Sequence, residues 1–252
     1  MIYCNLKGGL GNILFQVAAT FEFSKKLNVE CSFPNLHEHL VFLQKENYCN
    51  SNLKDITHYK ELFGSLKTIY PPSHIQKVAF PFHYVEKQIP RECIIDGFFQ
   101  SEKYFKNSRQ EMLSLFKKNK TIDKVSVHVR RGDYLEKQRH HNILSKEYYL
   151  KAFKVFPNQK ILMFSDDIEW CKKTFIGQEI EFFKGKTDIE DLKMMSSCHS
   201  NIIANSSFSW WAAWLNTNQN KKVVCPSQWV GESLSHLNTS DIHCADWIKI
   251  KG

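Results

Sequence analysis

Between residues 122 and 226 the chain alternates two kinds of segment. Short β-branched or apolar runs, VSVHV (125–129), KILMFS (160–165), EIEFF (179–183), NIIAN (201–205) and KVVCP (222–226), read as buried strands. Between them lie SKEYYLKAFKVF, IEWCKKTF, IEDLKMMSSC and SFSWWAAWLN, whose apolar residues recur every three or four positions, the repeat of a helix. Strands alternating with helices imply a parallel sheet with helices packed on it. The first half opens the same way. A strand over Ile2–Leu6 leads through Gly8-Gly9-Leu10-Gly11-Asn12 into a helix carrying Ile13, Leu14, Phe15, Val17, Phe21 and Leu27. Beyond residue 35 the prolines Pro71, Pro72, Pro81 and Pro90 break the pattern, and a strand over 92–96 precedes Asp96-Gly97-Phe98-Phe99-Gln100. The expected fold is α/β, with two strand–helix domains, 1–118 and 119–252, facing each other across a cleft. The last residues are free to pack back on the first domain.

In such sheets ligands collect beyond the carboxyl ends of the strands. Four strand ends here carry polar or flexible residues: Arg130-Arg131-Gly132-Asp133, Ser165-Asp166-Asp167, Lys184-Gly185-Lys186 and Asn205-Ser206-Ser207. Alternation along a strand puts His128 and Arg130 on one face and Val129 and Arg131 on the other. Two arginines there need anionic partners, and a guanidinium fork suits a diphosphate. One arginine is expected to pair with Asp133 or another carboxylate, the other to meet a ligand. Asn205, Ser206, Ser207, Phe208 and Ser209 span a strand-to-helix junction, where Asn and Ser serve as helix caps or, with free N–H groups, hold a phosphate. Asp167 is open to two roles, capping the helix at 168–174 or accepting from guanine N1 and N2. Gly9 and Gly11 would let the backbone approach a ligand, although a dinucleotide fingerprint requires a third glycine where Leu14 stands. Trp210, Trp211 and Trp214, at helical spacing, read as packing more readily than as a sugar platform.

Composition narrows the classes. A chain of 252 residues, 42% hydrophobic and 24% charged, has the make-up of a globular protein. No apolar run approaches the roughly 18 residues of a membrane span. The start, MIYCNLKGGLGN, has no signal-peptide pattern, so a cytoplasmic protein is expected. The formal charge of +8 is spread without a long basic block, which favours a phosphorylated small ligand over nucleic acid and leaves room for peripheral contact with an anionic membrane. The eight cysteines (4, 31, 49, 93, 171, 198, 225 and 244) form no CxxC pair and read as buried free thiols. The segments of His37, His39, His140 and His141 carry no zinc spacing, and no Asp-x-Asp is present, so no metal is expected.

Several of these motifs, in this order, resemble the α-1,2-fucosyltransferases of glycosyltransferase family 11. They are GGLGN..FQ (8–16), DGFFQSEKYF (96–105), VSVHVRRGDY (125–134), LSKEYY (144–149), FSDD with Trp170, DLKMMSSCHSNIIANSSFSWWAAWL (191–215) and CPSQW (225–229). Ile13-Leu14 departs from the Gln-Met common in that family. The resemblance implies a GT-B fold made of two Rossmann-like domains. It implies inverting transfer of L-fucose from GDP-fucose, without metal or other cofactor, to the 2-OH of a galactose ending an oligosaccharide or glycolipid. By the same resemblance His128 and Asp167 address guanine. Arg130 with Ser206, Ser207 and Ser209 addresses the diphosphate, Asn205, Phe208, Gly9 and Gly11 complete the donor site, and Asn12 matches an asparagine near the reacting centre of the related protein O-fucosyltransferases. The competing readings are a GT-B transferase of another donor or linkage, an NAD-dependent oxidoreductase, and a carbohydrate- or nucleic-acid-binding protein without turnover.

Overall fold

Ile2, Tyr3 and Cys4, all buried, form the first strand, β1 (Ile2–Cys4), and seed a four-stranded parallel sheet. The computed structural model describes residues 1–45, 57–116 and 120–252; Cys49 and the expected 118/119 boundary lie outside the described residues. After β1 come α1 (Leu10–Leu27), β2 (Cys31–Ser32), α2 (Leu36–Lys45), α3 (Thr57–Phe63), β3 (Lys77–Ala79), β4 (Cys93–Asp96) and α4 (Arg109–Ser114). The sheet order is β2-β1-β4-β3, every pair parallel. Helix α1 buries Ile13, Leu14, Phe15 and Val17 completely, so the Ile13-Leu14 departure is a matter of helix packing. It stops at Asn28, which takes the left-handed conformation (φ 49°), as Asn does with least penalty after Gly. The N–H of Asn28 and of Val29 then bond back to Lys25 O (3.2 Å) and Ser24 O (3.0 Å), closing the last turn.

The second half contains β5 (Ile122–Val129), α5 (Lys146–Phe153), β6 (Ile161–Ser165), α6 (Ile168–Thr174), β7 (Ile180–Phe182), α7 (Asp188–Ser197), β8 (Cys198–Ile202), α8 (Ser207–Leu215), β9 (Val223–Pro226) and β10 (Ile248–Ile250). They build a six-stranded parallel sheet, order β10-β9-β8-β5-β6-β7. The parallel α/β reading therefore holds for both sheets. One strand is shifted: β8 starts at Cys198 and ends at Ile202, because α7 passes into it with no intervening loop. The core of this sheet packs Val125, Val127 and Val129 of β5 against Tyr148, Tyr149 and Ala152 of α5. Trp210, Trp211 and Trp214 are buried, with ring centroids 5.0–6.1 Å apart, and they pack as predicted.

Contacts group the chain into two units, Met1–Lys117 with Asn238–Cys244, and Lys118–Leu237 with Ala245–Gly252. Cys4, Cys93, Cys171, Cys198 and Cys225 are buried thiols, and burial pushes those of Cys4, Cys198 and Cys225 up to about 12. Among the described residues no helix is long and apolar enough to cross a membrane.

Candidate active site

In the second unit the chain builds β5, β6 and β7 outward in one direction, then returns to lay β8 on the other side of β5. That reversal is a topological switch point, and the loops leaving β5 and β8 there flank the crevice where open α/β sheets bind ligands. The residues after β5 are Arg130 to Asp133, and those after β8 run from Ile203 into α8. Both strand ends are tied down by buried phenols of α5: Tyr148 Oη donates to Ile203 O at 2.6 Å, and Tyr149 Oη to His128 O at 3.3 Å.

Arg130 is the charged centre of this region. Its side chain is 15% exposed, with Nη2 2.5 Å from Asp133 Oδ1 and Nη1 2.9 Å from Asp166 Oδ2. Burial works against its charge, but Asp166 and Asp133 outweigh burial and raise its pKa. Asp166 also accepts from Arg131 N–H (2.9 Å) through Oδ1, so one carboxylate braces both the backbone and the guanidinium of the loop. Gly132 makes room for it, since a Cβ there would lie 2.6 Å from Asp166 Oδ2. Arg131 is paired as well: Nε donates to Asp167 Oδ2 at 3.0 Å, and its guanidinium lies over the Trp170 ring at 4.0 Å. The expectation that only one arginine would be ion-paired is thus corrected. A guanidinium so far removed from water requires a compensating carboxylate, and each has found one.

His128 is 6% exposed, its ring 5.6 Å from that of Phe208, and its Nδ1 has no hydrogen-bond partner. Burial, aided by the charge of Arg130, lowers its pKa to about 3, so the imidazole is neutral at any working pH. Asp167 caps α6, accepting from Trp170 N at 3.1 Å, while its other oxygen serves Arg131, so the capping role is filled. At the start of α8, Ser206 holds the cap position but its hydroxyl makes no capping bond. The first-turn N–H groups, at the positive end of the helix dipole, therefore have no side-chain cap. Two of the predicted donor-site residues are committed elsewhere. Asn205 Nδ2 donates to Asn142 O (2.9 Å) and Trp229 O (3.1 Å), and Ser209, fully buried, turns its hydroxyl back on Ser206 O (3.3 Å). Ser207 and Phe208 stay half-buried at the helix start.

In the first unit the glycine turn is built differently from the expectation. Gly8 carries the left-handed conformation (φ 82°), Gly9 is the N-cap of α1, and Gly11 lies buried inside the helix, which begins at Leu10. Gln16 spans the turn: Lys7 N donates to its Oε1 (3.1 Å), while its Nε2 donates to Lys7 O (2.8 Å) and Asn12 O (2.9 Å). His39 Nε2 donates to Gly8 O at 2.8 Å, and burial lowers the His39 pKa. Asn12 Oδ1 accepts from Gln100 Nε2 at 2.7 Å. Asp96, paired with Lys7 and Lys77, keeps its pKa below the usual carboxylate range. Sequence reasoning missed the bracing roles of Asp166, Gly132, Gly8, Gln16 and Gln100. All five lie inside quoted motifs, Gly8 and Gln16 in GGLGN..FQ, Gln100 in DGFFQSEKYF, Gly132 in VSVHVRRGDY and Asp166 in FSDD, so the motifs themselves were the available signal.

The model of the family described as Glycosyl transferase family 11 matches residues 1–251. An O-antigen biosynthesis glycosyltransferase WbnK of Escherichia coli is 27% identical over 307 residues, covering 99% of this chain and 100% of that protein. An alpha-1,2-colitosyltransferase of Escherichia coli is 29% identical over 289 residues, covering 100% and 99%. The human galactoside alpha-(1,2)-fucosyltransferase 1 is 29% identical over 154 residues, covering 53% of this chain and 40% of that protein.

Proposed function

This chain belongs to glycosyltransferase family 11 and is a glycosyltransferase, and from that premise we propose that it transfers L-fucose from GDP-fucose to the 2-OH of a terminal galactose, with inversion and without a metal. The observation that carries the reading is the pairing, at one switch point, of the half-buried Arg130 with a helix start whose cap hydroxyl is unused. Both are what a nucleoside diphosphate needs. Two units, each with its own parallel sheet, are in keeping with a GT-B architecture.

In the proposed reaction the galactose oxygen attacks C1 of the β-linked fucose as the C1–O bond to the β-phosphate breaks. The hydroxyl proton leaves to solvent or to a base, and GDP departs with the bonding pair. Positive charge builds on the sugar ring and negative charge on the departing phosphate, so donors aimed at that phosphate are the largest catalytic contribution. Arg130 and the N–H groups and hydroxyls at Ser206 and Ser207 are assigned to it. His128, neutral, and the carboxylate of Asp167 are assigned to guanine, with Phe208 beside the imidazole. Asn12, beside the Gly8–Gly9 turn, is assigned to the reacting centre.

A second reading concerns the donor sugar alone. The relative named as a colitosyltransferase matches end to end, and colitose differs from fucose only in lacking the 3-hydroxyl. GDP release should be followed with each donor against a panel of β-galactosides, in excess EDTA, and the product linkage read by NMR. The expected product is an α-(1→2) fucoside formed at full rate under chelation. Faster turnover with the colitose donor would reassign the sugar. A β-linked product, or activity lost to EDTA and restored by manganese, would overturn the mechanism.

A further inference from the structure

We infer that Gln100 is the positioning residue that sets the hydrogen-bonding polarity of Asn12, an inference that rests on the placement of Asn12 at the reacting centre. Gln100 is 8% exposed, and a buried primary amide is costly unless it is bonded. Its Nε2 makes one bond, 2.7 Å to Asn12 Oδ1, while its own Oε1 is buried without a partner. A side chain there only to fill space would be served better by an apolar one. The bond to Asn12 is what the amide contributes.

The backbone is bent to deliver it. The residue before, Phe99, sits at φ 52°, a left-handed conformation that a bulky side chain adopts only when its surroundings impose it. Those surroundings are aromatic: Phe99 is fully buried, 5.1 Å from the Phe80 ring and 5.3 Å from Tyr104, edge-on to the latter. Ser101 N–H closes the turn on Phe99 O at 2.7 Å. From the other side Gly8 leaves space that a Cβ would fill, 2.5 Å from Asn12 Nδ2. With Oδ1 accepting from Gln100, Asn12 is fixed so that its Nδ2 hydrogens are the group offered to a ligand oxygen. Asn12 then acts as a hydrogen-bond donor to an oxygen of donor or acceptor.

The test is a double-mutant cycle on the full chain with Asn12→Ala, Gln100→Met and the pair, measuring kcat, acceptor KM, GDP affinity by calorimetry and melting temperature. Methionine keeps the volume and removes the donor. Asn12→Ala should lower kcat by about 10²-fold and Gln100→Met by about 10-fold, as expected for a misplaced catalytic contact. GDP affinity should stay unchanged in both. The pair should be no slower than Asn12→Ala alone, since Gln100 has no partner left to position. Losses that multiply in the pair, or wild-type kcat in Gln100→Met, would show that Gln100 only packs. Wild-type kcat in Asn12→Ala would remove Asn12 from the centre and this inference with it. Slow Asn12→Ala beside normal Gln100→Met sinks the inference alone. A second variant guards against misfolding: in Gln100→Glu the introduced carboxyl can donate to Asn12 only when protonated, so kcat should recover as pH falls. A flat profile at reduced kcat would also overturn it.

Discussion

Replacing Arg130 separates the electrostatic account from a merely structural one. Its guanidinium sits between Asp133 (2.5 Å) and Asp166 (2.9 Å), whose side chains are 30% and 20% exposed. Arg130→Ala leaves both carboxylates without their cation. Breaking a fully buried pair costs about 3–5 kcal/mol, and the water reaching these carboxylates brings that to about 1–3 kcal/mol. At roughly 2–4 °C per kcal/mol, melting should fall by several degrees while the fold survives. The loss of rate should be larger. A preorganised donor to a departing phosphate is worth about 10²–10³-fold, because its bonds strengthen as the C1–O bond breaks. GDP affinity should fall less than turnover, since the ground state carries less charge at the bridging oxygen. Arg130→Lys should restore little, as one ammonium cannot bridge Asp133 and Asp166 and still fork onto a phosphate. Arg131→Ala is the control. Its partners are Asp167 and the Trp170 face, so its loss should appear in melting temperature before turnover. GDP release, calorimetry with GDP and thermal melts decide the matter. Wild-type turnover in Arg130→Ala, with turnover abolished in folded Arg131→Ala, would refute the assignment.

Three further outcomes are expected. Gly132→Ala, with its new Cβ 2.6 Å from Asp166 Oδ2, should displace Asp166 and slow turnover although Arg130 is intact; unchanged kinetics would show that the brace is dispensable. Asp167→Asn keeps a good helix cap but loses the charge, so GDP should bind about 10-fold more weakly and discrimination against ADP should shrink; unchanged affinity by calorimetry would leave Asp167 as a cap and a partner of Arg131. His128, at about 3 when folded and about 6.5 when unfolded, makes the unfolded chain the better proton binder between those values, so its contribution is intact above pH 6.5 and is lost as pH falls. The slope is about 1.4 kcal/mol per unit. Asp191, raised by burial to about 6, acts in the opposite sense below that pH, so the comparison of His128→Asn with its parent by urea unfolding at pH 6 and pH 5 isolates the histidine. Identical slopes would mean that His128 takes up a proton in the folded protein.

What was readable from residues alone is what repeats locally. The Val-rich run of β5, the three- and four-residue spacing of α5 and α8, and the cap and boundaries of α6 all follow from side-chain size and branching along a few turns, and they recur in the structure. The polar strand ends were legible for the same reason. β1 and β7, three residues each, were legible because they sit in longer apolar runs, whereas β2, β3 and β10 have no such run and were not foreseen, and β8 was started late because α7 runs into it without a turn signal. Asp133 could be guessed as a partner of Arg130 from its spacing. Asp166 could not, because only the parallel pairing of β5 with β6, which sets Val129 beside Ser165, brings it alongside. Likewise nothing in GGLGN says that Gly8 rather than Gly11 takes the left-handed turn, or that Asn12 is held by an amide 88 residues away. Local sequence determines which groups are offered at the end of each strand. Which of them are consumed by one another, and which remain for a ligand, depends on distances between segments remote in the chain, and those are decided only when the sheets assemble.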